Sequence, residues 1–340
     1  MKTKLLLIIV FLYSLGFSKL KGQETLPQHG LLWKITGNDL QTPSYLFGTF
    51  HGQGGMEILD SIKSFDSIFT STHQFICEIE FNNAINLLLE KKGSKSESFL
   101  KPWPVIDSTY ENLLTDKQKN ILDFAIDNYK SLKSIKEWNI RPVLAVSFVK
   151  YSYQKNDKIN KFSSKENSVI DSIKTVILDG YLQKKANRYN MNIVELDSKE
   201  ESQKLNDSIN SHLPQLCYKS EVEFLIYYIQ NYPKIDSLQN DYMNKILSIY
   251  LQQDINLFEL QQKEINRYNN LITSFIGNDN FIEIQKKMLI DERNNFWMNK
   301  IPNLIKYNSS FIAVGAGHLG GEKGLINQLR KLNYKVVSIE

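Results

Sequence analysis

Two stretches near opposite ends of the chain share one pattern of apolar and polar positions. In each, a short apolar run leads into a Gly-x-x-His tetrapeptide, at residues 48–51 in the first copy and 315–318 in the second. A pair of glycines, an acidic residue, an apolar stripe at helical spacing and another apolar run follow in both copies. The pattern therefore predicts strand, turn, helix and strand at each end of the chain. The stripes consist of Ile58, Ile62, Phe65 and Phe69 in the first copy and of Leu325, Leu329 and Leu332 in the second.

Further strands are predicted around the first copy. Residues 31–35 and 44–47 are apolar runs separated by a Gly-Asn-Asp turn, which predicts a β-hairpin. Residues 75–79 predict the strand after the first helix and place Glu78 and Glu80 on the same face. An ordinary core strand does not present two carboxylates on one face. We therefore expect at least one of them to lie at the solvent edge or to take part in chemistry.

Between the two ends, apolar residues recur mainly at helical spacing. Residues 84–306 contain few glycines and prolines, and one short strand, 192–196, interrupts the helical pattern. We predict an α+β fold in which a mixed sheet is formed by an N-terminal half at about 30–82 and a C-terminal half at about 308–340. A large helical insertion, at about 84–306, separates these halves. The helical predictions include residues 121–132, 143–149 and 169–189.

His51 and His318 each follow a predicted strand at a point where glycines permit a tight turn. In open α/β sheets, ligands bind beside the carboxyl ends of the strands. We therefore expect both histidines to face one pocket, with Gly48, Gly315 and Gly317 forming the structural turns. On the pattern alone, a structural or capping role for the histidines stays open.

Two imidazoles and a carboxylate support two kinds of chemistry. Together with Glu78, His51 and His318 would leave open positions on a divalent metal, where water becomes a nucleophile. Without a metal, the same groups could act as a histidine base and a glutamate that orients it. The chain has no GxSxG, Walker or CxxC motif, so the sites that depend on those motifs are not predicted.

The first residues have the layout of an export signal. Residues 1–22 combine lysines, a mostly apolar run too short for a comfortable membrane span, and a polar end, as in a secretory signal peptide. They hold four lysines and no acidic residue, so their removal lowers the formal net charge from +4 to 0. A neutral mature chain gives no reason to expect a nucleic acid partner. Export would permit a disulfide between Cys77 and Cys217, although a buried free thiol at Cys77 is equally expected.

The motifs at both ends resemble those of the TraB/GumN family, which includes the Tiki proteases that inactivate Wnt. The opening motif resembles Trp33 followed by residues 45–51, and the acidic strand resembles residues 75–80. Residues 313–319 give the closest match, and the resemblance extends over residues 31–339. Further similar positions are Asp179, Leu182, Ala186, the tetrapeptide 195–198, Arg293, Asn294 and Trp297.

This resemblance implies a metal-dependent peptidase supported by manganese or cobalt, with zinc as a further candidate. It implies that His51 and His318 are metal ligands and that Glu78 is both a ligand and a catalytic carboxylate. Arg293 and Asn294 would be catalytic groups that orient other residues or bind the transition state.

We therefore expect an exported hydrolase, periplasmic, secreted or membrane-associated, that acts on a peptide or protein substrate. Two alternatives stay open, because similar folds are expected in proteins of different function. One is a metal-free, esterase-like hydrolase, and the other is a non-catalytic protein that binds haem or another small ligand.

Overall fold

The computed structural model of the protein describes most of the two segments that form the sheet and parts of the helical insertion between them. The described residues are 29–52, 54–80, 109–137, 140, 142, 145–146, 148–150, 152–153, 177–198, 201, 204, 218–255 and 287–339. The predicted signal peptide at residues 1–22 and Cys217 lie outside this set. Within it, Cys77 is a buried free thiol. None of the described helices combines the length and the apolar character needed to cross a membrane.

In the described part of the chain, six strands form one mixed sheet. The strands are β1 (Leu32–Thr36), β2 (Ser44–Thr49), β3 (Gln74–Cys77), β4 (Asn192–Glu195), β5 (Ser310–Gly315) and β6 (Lys335–Ser338). Their order across the sheet is β4-β3-β5-β2-β1-β6. The strands β4, β3, β5 and β2 pair in parallel, whereas β1 is antiparallel to both of its neighbours. The predicted α+β fold, its mixed sheet and its first hairpin are therefore confirmed.

Some helices pack on this sheet, and others pack against one another. The described helices are α1 (Ile58–Ser61), α2 (Phe65–Thr70), α3 (Tyr110–Leu113), α4 (Asp116–Asn128), α5 (Lys133–Glu137), α6 (Leu178–Arg188), α7 (Tyr218–Leu251), α8 (Arg293–Met298), α9 (Ile301–Tyr307) and α10 (Leu325–Lys331). Short 3-10 turns lie at Lys130–Leu132 and Ala316–His318, and a π turn lies at Lys287–Glu292.

The buried apolar side chains form two clusters that share α7. The first cluster contains the sheet together with residues of α1, α2, α6, α8, α9 and α10. The second is helical and contains residues of α3, α4 and α5. Helix α7 contributes residues between 222 and 235 to the helical cluster and residues between 242 and 250 to the sheet cluster. One long helix thus connects the insertion to the sheet.

The two central parallel strands are buried along their whole length. Every residue of β2 and of β5 is buried, which explains why both read as continuous apolar runs rather than as alternating ones. Their register pairs Phe47 with Ala313 and Thr49 with Gly315. The two Gly-x-x-His turns therefore begin side by side, although 267 residues separate their histidines along the sequence.

The structure corrects three of the predicted boundaries. The first apolar stripe belongs to two short helices, α1 and α2, because the backbone is extended at Ile62 between them. The strand predicted at residues 75–79 ends at Cys77, so Glu78 and Glu80 do not share a strand face. The helix predicted at residues 169–189 begins at Leu178 in the described part, because Ile177 is extended.

Candidate functional site

Four polar side chains follow the carboxyl ends of the parallel strands. His51 is two residues past β2, Glu78 follows β3 directly, Asp197 is two residues past β4, and His318 is three residues past β5. Because β4, β3, β5 and β2 are neighbours in that order, these ends meet at one edge of the sheet. This is the edge at which open α/β sheets bind ligands.

Glu78 is the carboxylate on which the other groups converge. Its Oε1 lies 3.2 Å from His51 Nε2 and 3.8 Å from His318 Nε2. The same oxygen accepts a hydrogen bond of 2.7 Å from the Gly315 amide, and Oε2 accepts one of 2.6 Å from Arg293 Nη2. The structure thus brings together the two histidines and the glutamate that the sequence singles out.

His51 is held on its other nitrogen by Asp179, which lies in the first turn of α6. The Nδ1 atom of His51 is 3.0 Å from Asp179 Oδ2, and Thr49 Oγ1 donates to Asp179 Oδ1 at 2.6 Å. Because a carboxylate only accepts hydrogen bonds, His51 Nδ1 carries a proton and Nε2 is the atom that faces Glu78. The His51 side chain is 33% exposed, which makes it the solvent-accessible imidazole of the pair.

His318 is held in the same way by Asn294, which lies in α8. Asn294 Nδ2 donates to the carbonyls of His318 and Lys323, at 3.1 and 3.0 Å, so its Oδ1 is the acceptor that meets His318 Nδ1 at 2.7 Å. His318 Nδ1 therefore carries the proton and its Nε2 lone pair faces the site. Asn294 is completely buried, and its contacts are those of the orienting role, one of the two roles that the resemblance implies for it.

Arg293, the first residue of α8, connects Glu78 to Asp197. Its Nη2 donates to Glu78 Oε2 and to Asp197 Oδ2, both at 2.6 Å, and its Nε donates to Asp197 Oδ2 at 3.1 Å. Its Nη1 lies 3.3 Å from His318 Nε2 and 3.5 Å from the Leu289 carbonyl oxygen. All three guanidinium nitrogens thus have protein partners, and the bond to Oε2 holds Glu78 in place.

Trp297 contacts three residues of the site, namely Asp197, Arg293 and His318. Its indole donates to Asp197 Oδ1 at 2.6 Å, and the Arg293 guanidinium lies over its ring at 4.4 Å from the centroid. The ring also packs against the His318 imidazole, with 4.4 Å between the centroids. A fully buried indole therefore closes the site on the side of His318, while His51 lies on the open side.

The charges around Glu78 set the protonation of the two histidines. Burial alone would lower the pKa of His51, but the carboxylates of Asp179 and Glu78 outweigh it and raise that pKa well above its usual value. Burial lowers the pKa of His318 to about 3, and Arg293 acts in the same direction. Burial alone would raise the pKa of Glu78, but Arg293 and the histidines hold it well below its usual range. Near neutral pH, Glu78 is ionised, His318 is neutral and His51 carries a second proton.

The donor atoms fit a divalent cation in kind and in charge. Two imidazole nitrogens and a carboxylate oxygen are usual ligands of such ions, and metal-bound histidines are held on their other nitrogen as these two are. Glu78 and Asp197 contact the Arg293 guanidinium, and Asp179 contacts His51. The three carboxylates and the one guanidinium give the group a formal charge of −2 when both imidazoles are neutral. Among the described residues, no three His, Cys, Asp or Glu side chains already have the spacing of a metal centre. Binding an ion would therefore require the distances among these side chains to change.

Two of the predicted turn glycines permit close approach rather than an unusual backbone angle. A Cβ atom added to Gly315, whose φ is −52°, would lie 2.4 Å from His51 Nε2. A Cβ atom added to Gly48 would lie 2.7 Å from Leu319 Cδ1. Gly317 lies inside the 3-10 turn that carries His318.

The site also contains four residues that the sequence does not predict as site residues: Thr49, Asp179, Asp197 and Trp297. All four lie within or beside motifs that resemble the TraB/GumN family, which is one signal that could have identified them. A second signal applies to Asp197, because it follows a predicted strand as His51 does. Parallel strands bring such positions together.

Comparison with known proteins agrees with this organisation. The TraB/PrgY/gumN family profile matches residues 31–338, which include both Gly-x-x-His motifs and every residue of the site described above. No curated protein and no solved structure matches the chain. The chain therefore belongs to the TraB/PrgY/gumN family.

Proposed function

We propose that the protein is an exported, metal-dependent hydrolase that cleaves peptide or protein substrates. The observation that carries the metal part is the convergence of His51 Nε2 and His318 Nε2 on Glu78 Oε1, at 3.2 and 3.8 Å. Both histidines are held on Nδ1, so Nε2 is the nitrogen that each would offer to an ion. An ion would replace the Nε2 proton of His51 and the contact of Arg293 Nη1 with His318 Nε2. The surplus of negative charge around them favours a cation there.

His51, His318 and Glu78 are the residues that would hold the ion. Manganese or cobalt is expected from the resemblance to the family, and zinc is a further candidate. When bound, such an ion polarises a substrate carbonyl and lowers the pKa of water. Asp179 and Asn294 keep the Nδ1 protons of the histidines in place, which maintains the direction of both Nε2 atoms.

The buried side of the site would exclude water and keep Glu78 ionised. Arg293 neutralises part of the charge of Glu78 and binds its Oε2, so Oε1 stays directed at the histidines. Asp197 and Trp297 hold Arg293 in that position. A substrate would then approach from the side of His51, the partly exposed imidazole.

Export and substrate class are supported by the sequence. The layout of residues 1–22 supports export, and the resemblance to the Tiki proteases supports a peptide substrate. If export is followed by cleavage, mass spectrometry of the mature protein should find an N-terminus near residue 23. An intact N-terminus at Met1 in exported protein would contradict cleavage of the signal.

Metal analysis joined to a peptidase assay tests the proposal. The full chain is loaded with manganese or cobalt, freed of excess ion and assayed on a peptide library, beside His51→Ala and His318→Ala. We expect one ion per chain and peptide cleavage in the parent protein, and loss of both in the two variants. His73→Ala is the control, because His73 is exposed and lies at the opposite end of β3 from Glu78. An absence of bound divalent ion in the parent protein would reject the metal part.

A second candidate function is favoured by the Asp179–His51 pair. A histidine whose Nδ1 proton is bound by a carboxylate acts as a general base once its Nε2 proton is lost, and His51 is the accessible imidazole. Metal-free ester hydrolysis could use this pair. Ester hydrolysis that survives strong chelation and is lost in His51→Ala would select this function over the metal-dependent one.

A further inference from the structure

Thr49 is a buried hydroxyl that makes one strong hydrogen bond, and that bond leads to the site. We propose that Thr49 and Asp179 form a positioning unit that fixes the ring direction and the tautomer of His51. The inference rests on the proposed function, in which His51 Nε2 binds the ion. Thr49 is 2% exposed and donates to Asp179 Oδ1 at 2.6 Å. It therefore acts on His51 through Asp179 and not by contact with a substrate.

The two oxygens of Asp179 are divided between two partners. Oδ1 accepts from Thr49 and Oδ2 accepts from His51 Nδ1, at 2.6 and 3.0 Å. A carboxylate fixed at one oxygen by a buried donor has one orientation, so the second oxygen presents a fixed acceptor to the imidazole. That acceptor keeps the proton of neutral His51 on Nδ1 and leaves Nε2 for the ion.

His51 needs this support more than His318 does. His318 is 3% exposed and is held by Asn294 and Trp297, whereas the His51 side chain is 33% exposed. The Nε2 of His51 lies 3.2 Å from Glu78 Oε1, and this contact is a hydrogen bond only while Nε2 carries a proton. When an ion replaces that proton, the hydrogen bond that directs the ring is the one to Asp179, and Asp179 is in turn held by Thr49.

The elements that carry the unit explain why its parts stay together. Thr49 ends β2 and pairs in register with Gly315 of β5, so the central sheet fixes its position. Asp179 lies in the first turn of α6, where a negative charge is favoured by the helix dipole. A contact between residues 130 positions apart thus joins the end of a strand to the start of a helix.

Four variants of the full chain separate a positioning role from a purely structural one. Thr49→Val keeps the shape of the side chain but removes the hydroxyl donor, and Thr49→Ser restores it. Asp179→Asn replaces one carboxylate oxygen by an amide NH2 group, so it can accept only one of the two hydrogen bonds. Thr72→Val is the matched control, because Thr72 is a buried threonine that donates one hydrogen bond, to the Phe69 carbonyl, before the start of β3. The readouts are the dissociation constant of cobalt(II) from its visible absorption, the melting temperature, and NMR of isotope-labelled histidines without metal.

We expect Asp179→Asn and Thr49→Val to weaken cobalt(II) binding by about 10–100-fold and to change the absorption spectrum of the bound ion. Thr49→Ser should bind within about threefold of the parent protein, well inside the loss expected for removal of the donor. Thr72→Val should lower the melting temperature without changing cobalt(II) binding. In metal-free protein, the His51 Nδ1 proton should be seen by NMR in the parent and in Thr49→Ser, and should be lost or shifted in Thr49→Val.

Equal cobalt(II) affinity in Thr49→Val and the parent protein would overturn the inference, as would failure of Thr49→Ser to restore binding. A parent protein that binds no cobalt(II) would instead reject the proposed metal dependence. The NMR signal of His51 would then decide the positioning role by itself, and an unchanged signal in Thr49→Val would reject it.

Discussion

At the scale of single residues, the site is built from pairs in which one member holds the other. Asp179 holds His51, Asn294 holds His318, and Arg293 holds Glu78. Buried polar groups are stable only when their hydrogen bonds are made. Removal of a supporting residue should therefore affect both the stability of the fold and the geometry of the residue that it supports.

Asn294→Ala should lower the stability of the fold. The substitution leaves His318 Nδ1 and the carbonyls of His318 and Lys323 without their side-chain partner. Since all of these groups adjoin a fully buried side chain, we expect a loss of about 3 kcal/mol in the free energy of unfolding, measured with urea. Asn303→Ala, at an exposed position of α9, should change it by less than about 0.5 kcal/mol. A loss in Asn294→Ala no larger than in Asn303→Ala would contradict this account.

At the scale of secondary-structure elements, the site depends on how β2 and β5 end beside each other. The pairing of Thr49 with Gly315 places the His51 ring against the backbone of the neighbouring strand. A Cβ atom at residue 315 would lie 2.4 Å from His51 Nε2, which is too short for any real contact. Gly315 is therefore a steric requirement of the site.

Gly315→Ala should damage the site and leave the fold intact. Its φ of −52° and ψ of 136° suit alanine, and the partly exposed His51 can turn away from the new methyl group. We expect the melting temperature to stay within about 4 °C of the parent and cobalt(II) binding to weaken by at least about 10-fold. Combined with His51→Ala, the same substitution should have almost no further effect on binding, because the clashing ring is absent. Additive losses in the double variant would show that residue 315 acts by another route.

The sequence predicts the strands of the sheet more completely than it predicts the residues of the site. Apolar runs and the Gly-Asn-Asp turn suffice to predict the hairpin and the strands that end near His51, Glu78 and His318. Helix boundaries are harder to predict, because two short helices with an extended residue at Ile62 present the same apolar stripe as one longer helix. The hydrophobic period cannot detect a break that keeps the stripe in phase.

The supporting residues are harder to predict from the sequence, for a different reason. Asp179 and Thr49 meet across 130 positions of sequence, and such a contact exists only after the sheet and α6 have packed. An aspartate at the start of a helix is also explained by the helix dipole alone, so its position does not by itself indicate a site. His51 and His318 are easier to recognise because glycines mark their turns.

At the scale of the whole molecule, the site joins segments that are distant in sequence. It takes residues from the ends of β2, β3, β4 and β5 and from the helices α6 and α8. Helix α7 packs on the same sheet cluster and also belongs to the helical cluster. An ion held at the site should therefore stabilise the folded chain as a whole, because its ligands come together only in the folded state.

Metal addition should raise the stability of the entire protein. At a free cobalt(II) concentration of about one hundred times the dissociation constant, binding to the folded state alone adds about 2.7 kcal/mol to the free energy of unfolding. For a chain of this size we expect the melting temperature to rise by roughly 4 °C, and excess chelator should reverse the rise.

The His51→Ala and His73→Ala variants test whether this stabilisation comes from an ion bound at the site. His51→Ala removes a predicted ligand and should lose most of the rise in melting temperature, whereas the exposed His73 lies away from the site and its variant should keep it. Because both variants remove one imidazole, weak binding of cobalt(II) to surface histidines would affect them equally. A rise of the same size in both would place the ion outside the group formed by His51, Glu78 and His318.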